Sequence, residues 1–138
     1  MFAITEYQPT DEKTNRKFPL LLTTGRKLHQ YNVGAQTRRT ENSRWLEEDR
    51  LEIHPSDAEL RGVRTDDWVS IQSRIGEITL KAEITTRVVP GVVYTTFHHP
   101  LTGTNVVTTE LSDSLNFVVC RVVLGGLEKL LFILSLAS

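Results

Sequence analysis

Between Phe18 and Leu124 the chain is a succession of short apolar or alternating runs, each closed by a turn-forming residue. That rhythm limits the possible folds more than any other feature. "FPLLLTT", Phe18 to Thr24, reads as an apolar strand. "RLEIHP" is a second strand, stopped by Pro55, because proline lacks the N–H a ladder needs. "DDWVSIQS", "IGEITLKAEITTRV" entered through Gly76, "GVVYTTFH" after Pro90-Gly91, and "NFVVCRVVL" continue the series. Helical stretches are brief. "TENSRWLEED" offers Thr40 as an N-cap, and "SDAELRG" predicts one to two turns from Ser56, ended by Gly62. About six strands with only short helices predict a mainly β fold, a closed barrel. No repeat of 20–50 residues is visible in the chain.

The length of 138 residues suits one domain with a real core. Hydrophobic residues are 39% and charged residues 24%, an ordinary globular balance. A formal net charge of −1 gives no global field to draw the chain to nucleic acid or a membrane surface. A single cysteine, Cys120, excludes an internal disulfide and reads as a buried thiol. The start, "MFAITEYQPTDEK", has neither a basic opening nor a sustained apolar stretch, so no leader is expected there and the cytoplasm is the expected location. At the other end, Leu130 to Ala137 is almost unbroken apolar sequence, shorter than the ~20 residues a bilayer requires. It reads either as a core or interface helix or as an altered end. The expected division is therefore a lead-in over 1–17, a barrel over 18–124 and an atypical tail over 125–138.

Charge is not spread evenly. From Arg26 to Arg44 there are five Lys/Arg against one acidic residue, Glu41, in a polar segment without helix or strand period. Its entry, Thr24-Gly25-Arg26, stands at the carboxyl end of a strand, where glycine lets backbone N–H groups approach an anion and arginine grips it with two donors. Such a loop can equally be solvated, or pair with the acidic run Glu47 to Asp49. Neither a P-loop nor a G-x-G-x-x-G pattern occurs. A second polar stretch, "FHHPLTGTNVVTT", carries Asn105, whose amide suits a ring with mixed polar edges or an ordinary turn. His98 and His99 are adjacent and would point to opposite faces of a strand, so a shared metal is not expected. If both stretches serve one ligand, Asn105 and the Thr24–Arg26 turn must meet at one end of the barrel. The residues by themselves describe a chain that binds rather than reacts.

"FPLLLTTGRKLHQYNVGAQTRRTENSRW", "LEIHPSDAELRGVRTDDWVSIQSRIGEITLKAEIT" and "PGVVYTTFHHPLTGTNVVTT" resemble the C-terminal molybdopterin-dinucleotide-binding domain of molybdenum or tungsten oxidoreductases. Within that family the resemblance is to the catalytic alpha subunit of soluble NAD-dependent formate dehydrogenases, from about Phe2 to Asp113 and more weakly to Val123. The T-G-R…T-R-R spacing is family-wide, whereas "QYNVGAQTRRTENSRW" and "VYTTFHHP" belong to the formate dehydrogenase branch. The resemblance implies a double-psi β-barrel of the aspartate-decarboxylase type. It implies a bis(molybdopterin guanine dinucleotide) cofactor with Mo or W, held jointly with preceding domains. Carried over by position, Thr24, Gly25, Arg26, Leu28, His29, Asn32 and Gly34 lie along that cofactor, and Thr37 and Arg38 face it or brace the loop. Phe97 and His98 come near it, and Asn105 meets its pterin or guanine side. The implied partners are the rest of the catalytic subunit and, through it, iron–sulfur and flavin subunits.

Two departures stand against the family pattern. Its closing strand reads like "EYKVCAV", with a lysine reaching the cofactor, and here Val118 takes that place. The tail "GGLEKLLFILSLAS" does not resemble the family's short polar end. Complete catalytic subunits also carry iron–sulfur cysteines, a cysteine or selenocysteine on the metal and a neighbouring His/Arg pair, none of which matches this chain. "FAITEYQPT" resembles mid-subunit sequence, so a fragment or a separately encoded terminal domain is expected, not active in formate oxidation by itself. A stand-alone barrel serving as a binding or adaptor module, and a non-functional remnant, are the other readings.

Overall fold

Six strands close into a barrel in the computed structural model of the chain, which describes residues 13–27, 48–98, 103–107 and 117–125. In chain order these are β1 (Leu20–Gly25), β2 (Arg50–Ile53), a short helix α1 (Pro55–Arg61), β3 (Trp68–Gln72), β4 (Glu77–Ile84), β5 (Val92–Thr96), a 3-10 helix (Thr104–Val107) and β6 (Phe117–Leu124). The segment expected to be a helix after Thr40 and the apolar tail after Gly125 lie outside the described residues.

Period-two alternation makes each strand two-faced. Leu20 and Leu22, Leu51 and Ile53, Val69 and Ile71, Leu80 and Ala82, Val93, and Cys120 and Val122 form one buried cluster in the barrel. Burying each large aliphatic side chain stabilises the fold by about 1.5–3 kcal/mol. Thr95 is fully buried among them, and its hydroxyl donates to the Arg50 carbonyl at 3.0 Å. Polar satisfaction thus lets a β-branched residue fill an aliphatic position.

Around the barrel the order is β1-β5-β2-β4-β3-β6. β1 pairs with β5 and β2 with β4 in parallel; the other four pairings are antiparallel. This set of neighbours, with its directions, is unchanged when β1, β2 and β3 are exchanged for β4, β5 and β6. Two interlocked halves related by an approximate two-fold axis are the signature of a double-psi barrel, so the expected fold class is the one observed.

α1 is placed by local chemistry. Pro55 occupies the first helical turn, where its missing N–H costs nothing, so the helix begins one residue before Ser56; His54 is the cap, its ring nitrogen accepting from the Ser56 N–H at 3.3 Å. Gly62 ends the helix with φ 65°, the left-handed conformation expected of it. The Asp57 carboxylate then ties the helix to the turn before β5 by accepting from the Gly91 N–H at 2.7 Å.

Cys120 is the buried thiol the sequence predicts. Desolvation inside the barrel pushes it up to about 12. An unfolded thiol ionises near ~8.5, so its contribution to stability is intact below that pH and is lost as the pH rises towards 12. Cys120 should therefore resist a disulfide-exchange reagent at pH 8 and react fully once denaturant is added. Reaction of the native chain at the rate of a free thiol contradicts this.

Candidate functional site at one end of the barrel

Because β1 and β5 run parallel, with Gly25 opposite Thr96, the chain leaves both strands side by side. Arg26 is exposed, and its guanidinium carbon lies 5.4 Å from the centroid of the Phe97 ring. One residue further on, the Lys27 N–H donates to His98 Nε2 at 3.0 Å. His98 is only 1% exposed, so this bond is made inside the protein.

Beneath the two exits sits Asp49, 2% exposed, in the residues that lead into β2. Its Oδ1 accepts the Thr96 hydroxyl in a short bond and the His98 N–H at 3.3 Å. A second buried carboxylate, Glu52, faces the outer wall of the barrel between Lys27 Nζ at 3.8 Å and an Arg87 nitrogen at 3.1 Å. Both acids are thereby engaged by neighbours rather than aimed at the rim. Glu48 bonds Arg50 at 2.9 Å and Lys81 at 3.2 Å, so the acidic run after residue 46 is built into the barrel wall at these positions.

Gly25 is a glycine for a reason internal to the fold. A Cβ there would lie 2.8 Å from the Tyr94 hydroxyl and 2.9 Å from its ring. Burial, helped by the Glu52 charge, pushes the Tyr94 phenol up, so the group is a neutral donor. Tyr94 therefore packs directly over Gly25 at the end of β1, with the exposed Arg26 next in the chain.

The 3-10 helix completes this end. The Thr104 hydroxyl donates to the Thr96 carbonyl at 3.0 Å, and Val107 is fully buried. Asn105 lies on that helix, so its backbone and the Thr24–Arg26 turn stand at the same end of the barrel. The side chain of Asn105 is not among those described, and Leu28, His29, Asn32, Gly34, Thr37 and Arg38 lie outside the described residues. Val118 is a buried residue of β6, paired with Leu22. Among the described residues no group of three or more His, Cys, Asp or Glu could hold a metal, and no helix is long and apolar enough to cross a membrane.

Sequence reading picked out Arg26, Phe97 and His98 but missed Asp49, Glu52, Tyr94, Thr96 and Thr104. Nothing in "EED" distinguishes a buried acceptor from a solvated acid. The hydroxyls of "YTT" gave a signal only as a strand with unusually polar inward positions.

A barrel with this interleaved order and a basic, aromatic rim over buried acceptors is the architecture of a binding domain, and its family is recognisable. Residues 20–118 match the Molydopterin dinucleotide binding domain, and the chain belongs to that family. It is 37% identical over 114 residues to F420-dependent formate dehydrogenase 1 subunit alpha of Methanococcus maripaludis, a match covering 82% of this chain and 17% of that protein. Over 111 residues it is 39% identical to F420-dependent formate dehydrogenase subunit alpha of Methanocaldococcus jannaschii, covering 80% and 16%. The chain thus spans about a sixth of the length of these relatives. Among solved structures, acetylene hydratase from Pelobacter acetylenicus shares the fold with a TM-score of 0.64 at 13% identity, covering 80% of this chain and 19% of that one.

Proposed function

We propose that this chain is the domain of a formate dehydrogenase alpha subunit that binds and orients a bis(molybdopterin guanine dinucleotide) cofactor. The observation that carries the reading is the meeting of the Thr24–Arg26 turn, Phe97 and the Asn105 helix at one barrel end. The donor set of this rim fits a dianionic pyrophosphate. Arg26 offers planar N–H donors over an aromatic ring, and the nearby carboxylates of Asp49 and Glu52 are engaged by Thr96, His98, Lys27 and Arg87. When bound, the cofactor supplies the redox-active Mo or W centre, with ligands from elsewhere in the subunit.

The work of this chain is binding. Arg26, with Arg38 further along the loop, grips phosphate; Thr24 and Gly25 set the turn; Phe97 and His98 form its floor; Asn105 meets a pterin or guanine edge. The same role is proposed for Leu28, His29, Asn32, Gly34 and Thr37, from the sequence resemblance alone. Residues 18–124 are the binding barrel, 1–17 the lead-in from upstream domains, and 125–138 a tail outside the family pattern. The partners are the remainder of the alpha subunit and, through it, iron–sulfur and flavin subunits in the cytoplasm. The sequence resemblance points to NAD as the final acceptor, whereas the relatives above are named for F420; offering each to the complete enzyme decides between them.

Arg26→Ala and Arg38→Ala in a full-length alpha subunit test the reading. Losing one charged hydrogen-bonding partner weakens retention by about 1.5–3 kcal/mol, roughly tenfold or more in affinity. Metal and pterin content per polypeptide should fall in both variants when cofactor supply is limiting. Unchanged content in both supports a merely solvated loop.

A further inference from the structure

His98 is buried, yet it sits where two chain exits cross. Its Nε2 accepts the Lys27 N–H at 3.0 Å, across 71 positions of sequence. The backbone N–H of His98 donates to Asp49 Oδ1 at 3.3 Å, which also takes the Thr96 hydroxyl. An imidazole nitrogen that accepts carries no proton, so the neutral ring here has its proton on Nδ1. Beyond the Gly25–Thr96 pairing, that ring and the Arg26–Phe97 stack tie the β1 exit to the β5 exit.

We propose that His98 is a positioning residue that latches the Arg26–Lys27 turn through the Lys27 amide, and that protonating its ring releases the turn and weakens ligand retention. The argument is geometric. An imidazolium has two donors and no acceptor, so it cannot face the Lys27 N–H without repulsion. The charged and titratable groups around the ring come from three elements. Lys27, after β1, meets the ring through its backbone N–H, with Arg26 beside it over Phe97; Asp49, before β2, holds the His98 backbone N–H, and Glu52 of β2 holds the Lys27 ammonium. Loss of the latch leaves the Glu52–Lys27 contact in place at 3.8 Å, so the backbone at Lys27 is freed while its side chain stays tethered. Arg26, one residue away, then loses the fixed backbone that aims it over Phe97. The link to ligand retention rests on the function proposed above; the latch itself does not.

The test has one arm without ligand and one with it. In the 138-residue chain, nitrogen NMR of the His98 ring and hydrogen exchange at the Lys27 amide are followed as pH falls, with exchange corrected for its intrinsic pH dependence. The expected result at neutral pH is an unprotonated Nε2 and a protected Lys27 amide. As the ring titrates, exchange should rise about tenfold, the worth of one such bond. His98→Gln, whose side-chain oxygen can still accept, should keep part of the protection and lose its pH dependence; His98→Ala should lose protection at every pH. A proton on Nε2 at neutral pH, read on the unaltered chain, overturns the latch even if the variants misfold. Lys27 exchange that ignores both titration and substitution overturns it too. In the second arm, metal–pterin release from the full-length alpha subunit is timed across the same pH range, and His98→Gln should flatten the profile. Exchange that responds while release does not overturns the link to the ligand and leaves the latch standing.

Discussion

Replacing Gly76 by alanine is expected to lower the unfolding free energy by about 2–3 kcal/mol, the upper part of the range for overpacking a tight contact. Gly76 immediately precedes β4, after the connection from β3, and Val106 of the 3-10 helix lies directly over it. A Cβ at this position would stand 2.7 Å from Val106 Cγ1 and 3.0 Å from its carbonyl carbon, with the carbonyl oxygen closer still. A side-chain tip could rotate away from such a clash, but a backbone carbonyl can yield only by moving the helix. That helix is anchored by the Thr104–Thr96 bond and by buried Val107, so relief has to break one of the two. Denaturant unfolding of Gly76→Ala measures the cost. Stability within 0.5 kcal/mol of the unaltered chain, roughly the scatter of an innocuous surface change, would falsify the close approach. Under the binding role proposed above, moving the helix that carries Asn105 should also lower cofactor content in a full-length subunit.

Asp49→Ala should cost a comparable amount, about 2–4 kcal/mol, because it strands two buried donors, the Thr96 hydroxyl and the His98 N–H. Thr96 is 1% exposed and His98 also 1%, so water cannot readily replace the lost acceptor. Asp49→Asn keeps an oxygen in the same place and should recover at least half of that loss. Thermal and denaturant unfolding of both variants give the comparison. An alanine variant as stable as the asparagine one shows that the carboxylate oxygen is not what holds this end together.

Much of the secondary structure is written locally. "LLLTT", "LEI", "WVSIQ" and "VVCRVV" announce strands through β-branched and alternating residues, and each is found as one. Pro55 and Gly62 bracket α1 because the first turn tolerates a missing N–H and the cap needs a left-handed residue. Such signals depend on neighbours only a few positions away. The helix start differs by one residue from the expected Ser56: α1 begins at Pro55, with His54 as its cap. The basic entry at Arg26 and the aromatic Phe97 were also legible, the first from charge and the second through family resemblance.

Strand order was not written in this way. β1 lies beside β5 although some seventy positions separate Gly25 from Thr96, and β2 crosses between β5 and β4. The pairing is settled by which closed arrangement buries all the inward faces at once, a property of the whole set. Hence the two-fold relation of the halves is present in the topology while the sequence shows no repeat: many different residues satisfy the same inward pattern. The same holds at the site. Sequence by itself determined the strands, the capped helix, the buried thiol and the basic turn, because each follows from local periodicity, backbone restriction or composition. Only the tertiary structure decided that Asp49 is a buried acceptor, that Tyr94 fills the space over Gly25, and that His98 holds Lys27. Those roles arise from contacts across 49, 69 and 71 positions of chain, where no short-range pattern can reach.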